Sequence, residues 1–321
     1  MEKIIDLHCD TIMALYQKKA DSLLENDLQI DIKKLHKGNY LAQVFAMFVF
    51  LKMGNPYQVC NDMLDIFYDE LAKNSDKLGL ALNYEDLVKN QESGLVNAIL
   101  SIEEGGVIEG DIEKLVHFYN RGIRMICLNW NFVNGIGHPN FKMSEKPDFS
   151  TPNDTDGLTP FGFEVVKKMD ELGMIIDVSH LSDKGFWDVY NTTKNPFIAS
   201  HSNARSICNH VRNLTDDMIK AISSRGGVIG LNFCTNFINQ EATITSVADI
   251  VKHALHIIKV GGVECLALGT DFDGIDPTTE VRNASEMQKI VSGLKEAGIS
   301  DSDIAKITHK NFLRVFREVC R

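Results

Sequence analysis

His8 and Asp10 stand two positions apart at the end of an apolar run, Ile4-Ile5-Asp6-Leu7. In an extended backbone, residues i and i+2 point to the same side, so an imidazole nitrogen and a carboxylate oxygen can aim at one point. That donor pair suits a borderline-soft divalent cation. His-x-Asp alone occurs by chance in many proteins, and its weight depends on what ends the later apolar runs. AILSIEEGG ends on Glu103 and Glu104, MIIDVSH on His180, FIASHS on His201, and LALGTDFDG on Asp271 and Asp273. A single such residue reads as a solvated loop side chain. Five runs ending in His, Asp or Glu, with an imidazole on three of them, read as a metal centre.

The donor count bears on nuclearity. Three histidines with two or three carboxylates exceed what one tetrahedral zinc uses. Two ions sharing a carboxylate and a hydroxide would use all of them, and such pairs activate water at neutral pH. The run MICLNWN offers no lysine for a carbamylated bridge, which leaves Glu104 as the expected shared carboxylate. Glu103 is expected to point away, because strand neighbours face opposite sides.

The elements that must position these side chains alternate along the chain. Strand-like runs are expected at Ile4–Leu7, Gln43–Phe50, Val96–Ser101, Ile123–Leu128, Met174–Val178, Phe197–Ser200, Val228–Asn232 and Leu266–Gly269. Between them lie stretches with apolar residues at three- and four-residue spacing, such as Val165–Leu172, Met218–Ile222 and Ile250–Ile258. Eight strands alternating with helices predict a (β/α)8 TIM barrel, in which the C-terminal strand ends carry the chemistry. Gly173, Gly226-Gly227 and Gly261-Gly262 fall where helices should stop. No linker breaks the chain, so residues 1–321 are expected to form one domain. A long loop near 131–158 and a C-terminal helix complete it.

Composition narrows the function class. A net charge of −11 leaves no basic surplus for a nucleic-acid partner. No apolar run approaches the roughly 20 residues of a membrane span, and MEKIIDLHCD lacks a signal-peptide core. Seven cysteines without CxxC spacing do not make a disulfide framework. The expectation is a cytoplasmic chain with no membrane partner.

DLHCDT, IEEGG, GLTPFG, DVSHLS, SHSNAR, RNLTDD, GGVIGLNF, GTDFDG and the closing NFLRVF occur in order from end to end. As an ordered set they resemble the membrane (renal) dipeptidase family of zinc metallopeptidases, a branch of the amidohydrolase-like barrels. The resemblance implies two Zn2+ ions per chain, the first on His8 and Asp10, the second on His180 and His201, bridged by Glu104. Asp271 would contact the shared hydroxide and pass its proton to the leaving amine. Arg212 would hold the terminal carboxylate of a small dipeptide, with L,D-dipeptides among the conceivable substrates. A homodimer is implied as well.

One departure concerns the substrate side. Where animal members carry a histidine, the run CLNWNFVNG places Trp130. Asn129, Asn131 or Asn134 could offer an amide donor there, His138 could reach in from the long loop, and Trp130 could wall the pocket or pack at the barrel mouth. Trp130 and Asn134 join Arg212 as expected substrate-binding residues. Two other readings compete: a metal-dependent hydrolase acting on a cyclic amide, β-lactam or ester, and, more remotely, a non-catalytic metal-bound binding subunit.

Overall fold

The computed structural model describes residues 1–142, 144, 146 and 148–321. β-Branched and apolar runs form eight parallel strands: β1 Ile4–Asp6, β2 Tyr40–Phe48, β3 Leu78–Leu80, β4 Val96–Glu103, β5 Ile123–Cys127, β6 Ile175–Asp177, β7 Ile229–Leu231 and β8 Leu266–Leu268. They pair in the order β6-β5-β4-β2-β1-β8-β7, with β3 on the side of β4. The result is a mixed α/β fold on a curled parallel sheet.

Two strand expectations are revised. Leu78–Leu80 pairs with β4 although Leu-Gly-Leu is too short to register as an apolar run. Phe197–Ser200 is extended but not a ladder strand; it contributes single parallel bridges, Ile198 to Asp177 and Ala199 to Ile229. Its backbone still bonds on both sides, Ile198 N–H to Ile176 O (2.9 Å) and Gly230 N–H to Ala199 O (2.8 Å). The Ser200 carbonyl lies so close to its neighbours that a Cβ on Gly230 or Gly269 would sit 1.9 or 1.8 Å from it. Glycine at both positions is what admits this segment.

The helices begin and stop on local signals. Thr159 caps Pro160–Leu172 with its hydroxyl, Pro160 occupies the first turn, and Gly173 closes the helix at φ 72°. Thr215 caps Asp216–Ser224, and Ser246 caps Val247–Gly261, which stops at Gly262 with φ 87°. Two apolar clusters divide the labour. Ala98, Leu100 and Ile102 of β4 face the helices in one. Ile5, Leu7, Val44, Ile99, Met125, Ile175, Ile198 and Ala267 form the other, with Phe312, Val315, Phe316 and Val319 of the final helix, Asn311–Val319, against them. Burying a side chain of this size contributes about 1.5–3 kcal/mol. That closes one end and leaves the C-terminal strand ends for polar groups. Among the described residues no helix is long and apolar enough to cross a membrane.

Candidate metal centre

The C-terminal strand ends bring His8, Asp10, Glu103, His180, His201 and Asp271 together, each at most 8% exposed. Glu103 is the last residue of β4 and sits at the centre. Its Oε2 lies 3.1 Å from His8 Nε2, and its Oε1 lies 3.0 Å from His180 Nε2 and 3.4 Å from His201 Nε2. The two latter nitrogens are 3.1 Å apart. His8 Nε2 is also 3.7 Å from Asp10 Oδ2 and 3.9 Å from Asp271 Oδ1.

The expected bridge, Glu104, is not in this cluster. Strand parity does separate the two glutamates, and it is Glu103, not Glu104, that lies among the imidazoles. Asn97, Ser101 and Glu103 share the side of Ile99, whereas Ala98, Leu100 and Ile102 pack on the helices. At Glu104 the chain leaves the strand with φ 88° and ψ 82°. Its carboxylate instead accepts the Gly106 N–H (2.7 Å), the Trp130 N–H (3.0 Å) and the Asn134 side-chain amide. A left-handed backbone costs a non-glycine residue about 1–2 kcal/mol, and three hydrogen bonds to a carboxylate, at roughly 1.5–3 kcal/mol each, outweigh it. The signal in the sequence was the alternation N-A-I-L-S-I-E, whose polar phase ends on Glu103.

Whether these donors fit cations can be judged from their protons. His180 Nδ1 donates to Asn131 Oδ1 (3.0 Å). Ser200 gives its hydroxyl proton to Asp177 Oδ2 and accepts from His201 Nδ1 at 2.7 Å. Both histidines are thereby held as Nδ1–H tautomers, and both Nε2 lone pairs face each other and a carboxylate oxygen. Three acceptors 3.0–3.4 Å apart with no donor among them repel one another. A tetrahedron with metal–nitrogen bonds of roughly 2.0–2.1 Å has edges of about 3.3 Å, so a cation fits the spacing. On the other flank, Asp10 begins the helix Thr11–Tyr16 but makes no capping bond, and its Oδ1 and His8 Nδ1 are buried without partners. A helix-capping aspartate ordinarily spends its carboxylate on the first turn; this one is free for a ligand.

Electrostatics differ between the flanks. Burial disfavours a charged His8, but the Glu103 and Asp10 carboxylates more than offset it and hold its pKa well above the usual value. Burial opposes ionisation of Glu103 too, and the positive charge of His8 beside it brings its carboxyl well below the usual range. Burial, then Arg212, pushes His180 down to about 3. Burial lifts Asp10 to about 6, helped by Glu103, and Asp271 to about 7. Left-handed backbone recurs at His180 (φ 67°), Asp271 (φ 64°) and Asp273 (φ 67°), so the centre stores strain in its own ligating loops.

The remaining expected residues fall in several places. Asp271 faces the cluster, and Asn232 donates to its Oδ2 at 2.8 Å while the Cys234 N–H fixes the Asn232 carbonyl at 2.6 Å. Asn232 is thus the residue that orients Asp271. Asp273 turns away to Thr11, Gln29 N–H and Ile30 N–H. Trp130 walls a cavity of about 650 Å3 with Phe48, Asn131, His180, Cys234, Phe237 and Asp271. Its ring packs 5.0 Å from Phe48. Asn134 does not line that cavity; it braces Glu104, Leu128 O and the Ile136 and Gly137 N–H groups. Arg212 lies behind His201 rather than in the cavity wall, donating to His201 O (3.1 Å) and Ser202 Oγ (3.4 Å). Its buried Nε has no partner. His138 bonds Gly157 O and ties the base of the long loop; residues 143, 145 and 147 of that loop lie outside the described residues. His210 stacks on Phe149.

Comparison with known proteins agrees with this geometry. The family model for membrane dipeptidase, peptidase family M19, matches residues 1–321. The chain is 32% identical over 270 residues to an uncharacterized protein encoded in the pqqA 5′ region of Klebsiella pneumoniae, covering 83% of this chain and 98% of that one. It is 29% identical over 342 residues to an uncharacterized dipeptidase of Schizosaccharomyces pombe, covering 98% of this chain and 80% of that one. Its fold is similar to that of a metallopeptidase of Rhodobacter sphaeroides liganded with a phosphinate mimic of the dipeptide L-Ala-D-Ala, at TM-score 0.91, 21% identity and 99% of both chains. A further dipeptidase of family M19 superposes at TM-score 0.91, with 22% identity over 99% of this chain and 98% of that one. A family match over the full chain, on a cluster of this donor chemistry, decides the matter: the chain belongs to the membrane dipeptidase family, peptidase family M19, and is a metallo-dipeptidase.

Proposed function

We propose that this chain hydrolyses small dipeptides at two Zn2+ ions, one held by His8 and Asp10, the other by His180 and His201, with Glu103 shared. The observation that carries the reading is the convergence of His180 Nε2, His201 Nε2 and Glu103 Oε1 with no proton donor among them. Divalent cations at these donors supply Lewis acidity that polarises the peptide carbonyl and acidifies a water. The protein groups do the rest. Asp271, oriented by Asn232, takes the proton of the attacking water and delivers it to the leaving amine. Its carboxylate, held at 2.8 Å by the Asn232 amide, faces the cluster and can take up one proton and give it back.

Arg212 holds a buried guanidinium with an unpartnered Nε behind His201, outside the cavity wall, and would anchor the terminal carboxylate of the substrate, at a fixed distance from the metal ligands, only with the segment in front of it moved aside. That fixed distance selects dipeptides, because a longer chain carries its terminal charge elsewhere. Trp130 and Phe48 wall the side of the cavity next to His180. A D-residue at the C-terminal position is within the reading, given the L-Ala-D-Ala mimic bound by the Rhodobacter enzyme of the same fold. We read the curled sheet, with Phe197–Ser200 bonded between β6 and β7, as a (β/α)8 barrel, and the assembly as a cytoplasmic homodimer.

The test is metal analysis of the purified protein, followed by L,L- and L,D-dipeptide assays with and without chelator. Cleavage that survives complete metal removal would exclude this mechanism. A panel including cyclic amides and esters separates dipeptidase from the other hydrolase chemistries of such centres.

A further inference from the structure

We propose that Glu104 is a positioning residue that fixes the Trp130 wall of the substrate cavity, a role distinct from that of its neighbour Glu103 and resting on the dipeptidase reading above. Glu104 is fully buried, yet it neither touches the cluster nor lines the cavity. Two of its three hydrogen bonds go to the segment that follows β5. One oxygen accepts the Trp130 N–H (3.0 Å); the other accepts the Gly106 N–H (2.7 Å) and the Asn134 amide. Asn134 in turn accepts the N–H groups of Ile136 (2.8 Å) and Gly137 (3.0 Å) and donates to Leu128 O (3.0 Å). One carboxylate therefore clamps both ends of the loop 128–137.

The clamped loop carries the substrate side of the site. Trp130 is set among Phe48, Phe50 and Phe132, with ring centroids 5.0–5.8 Å away, and its ring is 6.1 Å from that of His180. The next residue, Asn131, accepts from His180 Nδ1. Space for the clamp is tight: a Cβ on Gly106 would fall 2.6 Å from Glu104 Oε1. The backbone at Glu104 is left-handed, where glycine meets no strain and a glutamate does. A carboxylate at such a position acts through its hydrogen bonds.

Glu104→Gln keeps the shape but turns one oxygen into an NH2 group, which sets a donor against the N–H of Trp130 or the donors on the other side. The chain has two tryptophans, so Trp187→Phe leaves Trp130 as the sole emitter. In that background, Glu104→Gln should raise the acrylamide quenching constant of Trp130 about two-fold and KM for a dipeptide about five- to ten-fold, with kcat within about three-fold and metal content unchanged. Asn134→Ala, which spares Glu104, should move the quenching constant and KM the same way, and the double variant should add little to either. It carries the test should Glu104→Gln not fold. Unchanged quenching and KM in the folded variants would overturn the proposal, as would loss of metal with Trp130 undisturbed. A wild-type protein that cleaves no dipeptide would sink the dipeptidase reading, while quenching would still decide the role of Glu104.

Discussion

β1 and β6 carry the same three residues, Ile-Ile-Asp, and each is followed by a histidine of the centre, His8 and His180. Each aspartate is buried and crosses to the neighbouring segment. Asp6 takes the Thr270 N–H at 2.8 Å and its hydroxyl at 2.7 Å; Asp177 takes the Ser200 N–H at 3.0 Å and its hydroxyl. The difference lies one bond further on. Ser200 also bonds His201 Nδ1, so Asp177 reaches the imidazole through a hydroxyl and sets its tautomer. Thr270 makes no such bond, and His8 Nδ1 stays unpartnered. One flank is organised by hydrogen bonds that keep its histidines neutral. The other is organised by the charge of Asp10, Glu103 and Asp271. Two routes to a cation site thus meet at Glu103: pre-set neutral lone pairs on one side, concentrated negative charge on the other.

The largest effect should come from the residue common to both flanks. Glu103→Gln removes the shared charge and one acceptor, leaving His180 and His201 without their anionic partner. Metal content should fall on both flanks, and kcat/KM should drop by about three orders of magnitude or more. Glu104→Gln in the same assay should keep its metal. A Glu103→Gln protein with full metal content and wild-type turnover would remove the centre from this account.

A smaller effect should be confined to one flank. Ser200→Ala breaks the link from Asp177 to His201 without touching a ligand. Loss of an outer partner to a ligating histidine typically weakens a metal site about 10- to 100-fold. Competitive titration with a chelating dye should show one ion per chain weakened and the other unchanged, with Ser200→Thr restoring the hydroxyl and the affinity. Equal weakening of both ions would mean that Ser200 serves the fold at large, not His201.

Much of this comparison was legible beforehand, and the gaps have physical causes. The strand ends were readable because apolar runs broken by His or Asp leave few alternatives, and all of His8, Asp10, His180, His201 and Asp271 do converge. Glu103 and Glu104 are hard to tell apart in the sequence because adjacent glutamates differ only in strand phase, and only the polar alternation from Asn97 favours Glu103. Leu78–Leu80 was missed because three residues give no periodicity. Phe197–Ser200 reads as a strand because it is bonded on both sides, but its pairing is limited to single bridges where Gly230 and Gly269 let backbone crowd in. The roles of Asn232 and Asn131 rest on contacts across long sequence separations, and that of Ser200 on its bond to Asp177, none of which a local pattern encodes.

The same contrast predicts a pH dependence with a definite sign. In the metal-free chain, His8 is raised and Asp10 and Asp271 are lifted to about 6 and 7, all above their unfolded values. Raised groups contribute stability that is complete below the unfolded pKa and is lost as pH rises through the folded one. The metal-free protein should therefore lose stability between about pH 4 and 7 on account of Asp10 and Asp271, and His8 should add to the loss only above its unfolded value of about 6.5. A cation must displace these protons, so affinity at the His8 flank should fall by up to about ten-fold per pH unit for each proton displaced. His180, held at about 3, and His201, well below its usual value, have no proton to shed in that range. On lowering the pH from 8 to 5, one ion per chain should leave before the other, and the gap in Tm between loaded and metal-free protein should narrow. Simultaneous release of both ions, or a constant gap, would mean that the two flanks hold cations by the same physics after all.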